Sequence, residues 1–121
     1  MNMRSYNRFQ TDLDVICKFD GEADAVGLYN LSCGGCMIET RSELAEKGTP
    51  VEITLSDKIS VPGRIVWRIE KNAGIKFDVP LHQRVVEHFG YVDEHFDRDD
   101  PRDRFGIPLI EIRDQAAGRI D

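Results

Sequence analysis

The longest strand-like pattern in the sequence is Val61-Pro62-Gly63-Arg64-Ile65-Val66-Trp67-Arg68-Ile69. Side chains of an extended chain point alternately to opposite faces, so every second residue shares a side. The predicted core face consists of Val61, Gly63, Ile65, Trp67 and Ile69. On this phase, we expect Trp67 to belong to the core rather than to form a surface for stacking. Pro62 and Gly63 predict that the strand bends or meets a corner near its start.

Similar alternation on both sides of this stretch predicts five more strands. They cover residues 13–19, about 23–31, 36–40, 51–55 and 73–79. The first two are joined by Asp20-Gly21, a dipeptide typical of tight hairpin turns. In the second strand, Leu31 is expected to share a face with Tyr29, opposite Leu28. Alternation of this kind is typical of half-buried strands, so the predicted fold class is mostly β.

The period of the apolar residues changes after the sixth strand. Apolar side chains now recur at spacings of four, four and three, at Leu81, Val85, Phe89 and Val92. This spacing predicts one helix that plugs or flanks the sheet. Pro80 suits the first helical turn, Asp78 is expected to cap it, and Gly90 is expected to weaken or end it.

The composition favours one domain without a membrane span. The chain has 121 residues, of which 40% are hydrophobic, and no apolar run approaches the ~20 residues that a spanning helix needs. No secretory signal is evident near residue 1, so the cytoplasm is the expected location. The net charge of −6 argues against non-specific binding to DNA or RNA, which requires a broad positive surface.

The charge distribution predicts a boundary near residue 92. Residues 93–121 carry nine acidic and five basic side chains, and the part up to Arg104 has almost no apolar periodicity. We therefore assign residues 1–92 to a folded domain and residues 93–121 to an acidic tail that is a linker or a docking segment. Within this tail, residues 105–112 are apolar enough to dock on the domain or on a partner, and the sequence leaves both possibilities open.

Two short motifs predict a binding site for a small nucleotide. Arg4 and Arg8 place two planar guanidinium forks four residues apart, and such forks match a phosphate or the O6/N7 edge of guanine. The second motif is Asn30-Leu31-Ser32-Cys33-Gly34-Gly35. Its amide and hydroxyl can donate and accept hydrogen bonds, while Gly34 and Gly35 let the backbone bend and approach a ligand closely.

These motifs, R-x-x-x-R followed by N-x-S-x-x-G, resemble the paired motifs of the PilZ family of bacterial cyclic di-GMP receptors. The chain is also similar to this family at Gly63-Arg64-Ile65-Val66-Trp67 and at Gly74-Ile75-Lys76-Phe77. The likeness covers about residues 1–92. It implies a six-stranded antiparallel PilZ-type β-barrel with one C-terminal helix, on which the arginine segment closes as a mobile clamp and the second motif lines the outer face.

The resemblance also implies a role for each motif residue. Arg4 and Arg8 would contact guanine edges and phosphates, and Asn30 and Ser32 would hydrogen-bond base edges. The glycines Gly34 and Gly35 would allow the backbone to approach the ligand. Met3 is apolar rather than a further cation, which favours one ligand molecule per chain over two.

A rival chemistry is suggested by Cys33-Gly34-Gly35-Cys36, a C-x-x-C motif that occurs in zinc sites and in redox pairs. The other candidate ligands are Cys17, His82, His88 and His95, and none of them has matching spacing. We expect Cys36 to be a core residue, the histidines to be polar surface residues, and the chain to use no metal or other cofactor. No catalytic grouping emerges, so we expect no enzyme activity.

Two functions follow from the sequence. The first is a non-enzymatic receptor or adaptor that binds cyclic di-GMP, orders its N-terminal arm and signals to an unidentified protein effector. The alternative is a PilZ-like protein-interaction module that does not bind nucleotide. Retention of Arg4 and Arg8 favours the first function.

Overall fold

Six antiparallel strands close into a barrel in the computed structural model, which describes residues 13–89 and 99–109. The strands are β1 (Leu13–Phe19), β2 (Glu22–Leu31), β3 (Gly35–Glu39), β4 (Pro50–Ser56), β5 (Ile59–Ile69) and β6 (Asn72–Phe77). Their order around the barrel is β1-β2-β3-β6-β5-β4, and β4 pairs with β1 to close it. The predicted mostly β, six-stranded antiparallel barrel is therefore confirmed.

The β1–β2 hairpin turns at the predicted dipeptide. Asp20 and Gly21 both have positive φ, at 52° and 93°, which is the combination that a two-residue turn needs to match the twist of its strands. A similar turn at Glu70, with φ of 53°, joins β5 to β6. These turns place strands that are consecutive in the chain side by side in the barrel.

Alternate residues of all six strands fill the barrel interior. They form one apolar core that includes Val15, Phe19, Leu28, Ile38, Ile53, Ile65 and Ile75. The loop between β3 and β4 closes one end, since Ala45 is buried in the same core. Arg68 holds this loop by donating to the backbone oxygens of Ser42 and Ala45 at 2.7 and 2.9 Å and of Thr40 at 3.2 Å.

A bulge in β5 overturns the predicted position of Trp67. The pairing of β5 with β6 shifts between Ile65 and Trp67, and an extra residue in a strand reverses the face of everything after it. Ile65 therefore lies in the barrel interior, whereas Trp67 and Ile69 lie in a second apolar cluster on the outer face. Trp67 is buried as expected, but the prediction that it shares a face with Ile65 is wrong.

A second bulge, in β2, overturns the predicted position of Leu31. The pairing of β2 with β3 shifts between Leu28 and Asn30, so Leu28 and Leu31 both face the interior. Tyr29 faces outward, into the same outer cluster as Trp67. The expectation that Leu31 shares a face with Tyr29 is therefore wrong, because the strand does not alternate regularly through the bulge.

The single helix of the described chain, α1, spans Gln83–His88 and is shorter than predicted. Its cap is His82, whose Nδ1 accepts a hydrogen bond from the Arg84 amide at 3.1 Å. Asp78, the predicted cap, instead extends the sheet, since its amide donates to Pro62 O at 2.9 Å. Leu81, Val85 and Phe89 pack against the core as predicted, and Val86 is fully buried beside them. Gly90 and Val92 lie outside the described residues.

Residues 99–109, hereafter the C-terminal segment, pack on the outer face of the barrel. Leu109 is buried in the outer cluster with Tyr29, Met37, Trp67 and Ile69. The proposed boundary near residue 92 lies outside the described residues, as does His95. In the part of the chain that the structure describes, no helix is long and apolar enough to cross a bilayer.

Candidate functional site

The second motif lies where β2 ends and β3 begins. Asn30 is the next to last residue of β2, and Gly35 is the first residue of β3. The turn between them is fixed by its own backbone, because the Ser32 amide donates to Gly35 O at 2.9 Å. The sequence motif therefore corresponds to one compact structural unit at the end of a β-hairpin.

The carbonyl oxygens of this turn are bonded to neighbouring elements. Phe77 N, at the end of β6, donates to Gly34 O at 2.9 Å, and Leu81 N, just before α1, donates to Cys33 O at 2.8 Å. These bonds attach the turn to the end of β6 and to the residues just before α1. A ligand would therefore meet a turn whose conformation is already set.

Ser32 is buried and holds the turn. Its hydroxyl donates to Gly35 O at 3.2 Å, so the side chain is engaged within the motif. Gly34 is exposed, whereas Gly35 is buried. The hydroxyl and the glycine backbone thus define the shape of the turn, and a contact between Ser32 and a ligand stays a prediction.

Asn30 points to the outer face of the barrel. It pairs with Met37 across β2 and β3, and residues paired in this way lie on the same face. The side-chain amide, Nδ2, donates to Met37 Sδ at 3.8 Å, and the residue is half-buried. A thioether sulfur is a weak acceptor, so a carbonyl oxygen or ring nitrogen of a ligand would be a better partner for this amide.

Beside Asn30 lies the outer cluster, the second apolar cluster of the protein. Its buried members are Tyr29, Met37, Trp67, Ile69 and Leu109. The Trp67 indole packs against Gly74, and its Nε1 is buried without a hydrogen-bond partner among the described residues. The cluster exists because the two bulges turn Tyr29 and Trp67 out of the barrel.

The C-terminal segment is bonded to the barrel beside this cluster. Tyr29 Oη donates to Arg102 O at 2.6 Å and lies 3.1 Å from Asn72 Oδ1. Arg104 binds Glu39 with both arms of its guanidinium, at 2.8 Å from Nε to Oε2 and 2.5 Å from Nη2 to Oε1. Burial, and next the Glu39 carboxylate, raise the pKa of Tyr29 well above its usual range, so its hydroxyl keeps its proton.

Sequence reasoning missed these contacts. The sequence places Tyr29 only on a strand face and Arg104 only in the acidic tail. The apolar stretch that contains Leu109 was the one available signal, and docking on the domain was one of the two possibilities left open. The partner surface could not be inferred, since both bulges are needed to create it.

The first motif lies outside the described residues, so the structure does not place Arg4 or Arg8 relative to Asn30. The chain enters the described region at Leu13, which pairs with Leu28, two residues before Asn30. The described part of β1 thus begins beside β2, two residues from Asn30 along that strand.

The cysteines of the C-x-x-C motif have different environments. Cys36 is fully buried in the core, as predicted, whereas Cys33 is half-buried. Burial, and next the nearby Cys17, raise the pKa of the Cys36 thiol, which disfavours the thiolate that metal binding and disulfide exchange require. Among residues 13–89 and 99–109, no group of His, Cys, Asp or Glu side chains could hold a metal ion.

Comparison with protein families gives one result. The model of the PilZ domain family matches residues 2–90, a range that takes in both motifs and ends before the acidic tail. No curated protein is significantly similar to the chain.

Proposed function

Because this chain belongs to the PilZ domain family, we propose that it is a non-enzymatic receptor for cyclic di-GMP. Binding would order the N-terminal arm, and the ordered arm would signal to a protein effector. The observation that carries this proposal is that Asn30 lies on the outer face of the barrel, two residues along β2 from Leu28, which pairs with Leu13 at the start of β1. Family membership supports the ligand class, and the geometry supports the place where it binds.

The arm is long enough to bring its arginines to this face. Arg8 precedes Leu13 by five residues and Arg4 precedes it by nine. An extended chain spans at most about 3.5 Å per residue, so the two arginines can reach about 18 and 32 Å from the start of β1. Both distances suffice to cover a ligand that is bound beside Asn30.

The chemistry of the two motifs suits a guanine dinucleotide. Each guanidinium offers a fork that matches a phosphate or the O6/N7 edge of guanine, and the Asn30 amide can donate and accept at a base edge. Two arginines on an otherwise acidic chain favour a small, locally held anion over DNA or RNA. We also propose that the protein does not insert into a membrane and that it acts in the cytoplasm.

Thermal unfolding with and without cyclic di-GMP tests this function. A ligand that binds only the folded state stabilises it by mass action, and at a concentration 100 times Kd the gain is about 2.7 kcal/mol. We expect the unfolding midpoint to rise with ligand for the wild type and to rise less for Arg8→Ala at the same ligand concentration. Arg41→Ala is the matched control, because Arg41 is exposed and lies just after Glu39, at the other end of β3 from Gly35.

A protein-interaction module that binds no nucleotide gives a different result. Its unfolding midpoint would be the same with and without cyclic di-GMP in the wild type and in both variants. That outcome, obtained with protein that unfolds cooperatively, would overturn the receptor function and favour the alternative.

A further inference from the structure

The C-terminal segment covers the apolar surface that adjoins Asn30. Tyr29, Met37 and Trp67 are each no more than 4% exposed, although all three point out of the barrel. Leu109 completes their cluster and is itself 5% exposed. A segment from beyond the family-matched residues thus keeps the face next to the motif out of solvent.

The segment holds its own shape. Arg102 and Pro108 form an antiparallel bridge, and the Asp103 carboxylate accepts hydrogen bonds at 2.9 Å from the amides of Phe105 and Ile107. Gly106, with φ of 81°, lies in the turn that reverses the chain between Arg102 and Pro108. These bonds all lie within the segment.

Polar bonds join the segment to the barrel beside the outer cluster. One is the Tyr29 hydroxyl to Arg102 O, and another is the two-armed pair of Arg104 with Glu39. The Arg104–Glu39 pair is partly exposed, with side chains 33% and 16% accessible, so water can reach both groups when the pair opens. Two side chains of the segment, Pro101 and Leu109, are also buried.

The covered face has the properties that a purine ring requires. Bases bind proteins by stacking on flat apolar side chains while polar groups read their edges. Asn30 supplies the polar group, and Met37, to which it is bonded, belongs to the covered cluster. A base that is held by Asn30 and extends over this cluster would occupy the space that Leu109 fills.

We infer that the C-terminal segment is an intramolecular competitor of the nucleotide: it occupies the face beside Asn30 in the empty protein and is displaced when the ligand binds. This inference rests on the proposed receptor function and adds a mode of regulation to the same site. The apparent affinity for ligand is reduced in proportion to the fraction of molecules whose face is open. Ligand binding would thereby also change the position of the C-terminal segment relative to the barrel.

The direct test compares two substitutions on the segment. Leu109→Asp places a charge in the outer cluster and should release the segment, whereas Phe105→Asp makes the same change at a side chain that is 60% exposed. We expect Leu109→Asp to bind cyclic di-GMP at least about tenfold more tightly in calorimetric titration, a gain that would correspond to about nine covered molecules for each open one in the wild type. Phe105→Asp should bind like the wild type.

Release of the segment can be measured without ligand. Trp67 is the only tryptophan of the chain and lies in the cluster that Leu109 completes. We expect the fluorescence of ligand-free Leu109→Asp to shift to longer wavelength relative to the wild type and Phe105→Asp. Saturating cyclic di-GMP should remove Leu109 from the cluster in the wild type, which predicts faster amide hydrogen exchange at Leu109.

A pair of charge-reversal substitutions provides a second test that does not depend on the folding of Leu109→Asp. Glu39→Arg should repel Arg104 and tighten cyclic di-GMP binding, and adding Arg104→Glu should restore the pair and the wild-type affinity. Affinity that is unchanged in both Leu109→Asp and Glu39→Arg, with the wild type binding, would overturn the competitor and leave the receptor function intact. If neither the wild type nor any of these variants binds, both proposals fail together.

Discussion

Trp67 packs so closely on Gly74 that a β-carbon at position 74 would lie 2.1 Å from the indole Nε1 and 2.4 Å from Cε2. The two residues pair across β5 and β6 immediately after the β5 bulge. Gly74 is therefore required for a steric reason, since only a hydrogen fits beneath the indole. The contact fixes the indole on the outer face and supports the cluster beside Asn30.

We expect Gly74→Ala to destabilise the fold. The added methyl group would overlap the Trp67 indole. Because the indole is buried and Gly74 lies within β6, the overlap can be relieved only if the ring or the strand moves. Overpacking of this kind costs about 1 to 3 kcal/mol. Urea denaturation measures it, with Gly27→Ala as the control, since a β-carbon at position 27 would meet nothing closer than 3.8 Å. Equal stability of the two variants would contradict the packing described for Trp67.

Substitutions of Asn30 and Ser32 should separate ligand binding from turn stability. Asn30→Ala removes only a weak bond to sulfur, so the free energy of unfolding should change by less than about 0.5 kcal/mol. Its affinity for cyclic di-GMP should fall about five- to 150-fold, as expected for a lost contact to a base edge. Ser32→Ala removes the bond to Gly35 O and should lower the unfolding free energy by about 1 kcal/mol.

Calorimetry and urea denaturation on the same two variants check this separation. Asn30→Ala with wild-type affinity would remove Asn30 from the site. A Ser32→Ala variant that is as stable as the wild type would show that the hydroxyl does not hold the turn.

We expect Arg8→Lys to bind cyclic di-GMP more weakly than the wild type. Lysine keeps the positive charge but lacks the planar fork that matches guanine or phosphate at two points. The loss should be about 1 to 3 kcal/mol in binding free energy, by analogy with two-point contacts to guanine. Equal affinity of the lysine variant in a calorimetric titration would mean that charge, rather than geometry, governs the contact.

The stability of the barrel should depend on pH above about 9. Burial, and next the charge of Asp24, raise the pKa of the Cys17 thiol from 9.0 to about 12. The Cys17 thiol therefore ionises at lower pH in the unfolded chain than in the folded protein. Its contribution to the free energy of unfolding is complete below pH 9 and is lost as pH rises toward 12. Between pH 9 and 10 the loss should be about 1 kcal/mol.

Urea denaturation in a reducing buffer at pH 8, 9 and 10 measures this loss. The free energy of unfolding should decrease less with pH in Cys17→Val than in the wild type. The buried thiols of Cys17 and Cys36 and the Tyr29 hydroxyl all contribute to this decrease, and the variant lacks one of these groups. Identical pH dependence in the variant would show that Cys17 does not titrate as described.

The fold was predictable because most strands follow a regular alternation. In β1, for example, Val15, Cys17 and Phe19 all face the core, and Asp20-Gly21 forms the expected turn. The errors at Leu31 and Trp67 share one cause, since each follows a bulge. A bulge depends on the pairing with a neighbouring strand, and this pairing is not encoded in the local pattern of either strand.

The helix and the site show the same limit. Asp78 has the chemistry of a cap, yet its amide is used by Pro62 O in an extension of the sheet, and His82 takes the capping role. The Asn30–Gly35 motif could be located because its residues are adjacent in sequence. The packing of Leu109 in the outer cluster could not be predicted, because it joins parts of the chain that meet only after both bulges have formed.

A calorimetric titration of the wild-type protein with cyclic di-GMP, repeated with Arg8→Ala and Arg41→Ala, is the sharpest test of the receptor function. We expect saturable binding with about one ligand per chain for the wild type and Arg41→Ala. For Arg8→Ala we expect an affinity that is about five- to 150-fold lower, a loss of about 1 to 3 kcal/mol. A folded wild-type protein that releases no heat and shows no thermal stabilisation at micromolar to millimolar ligand would contradict the receptor function.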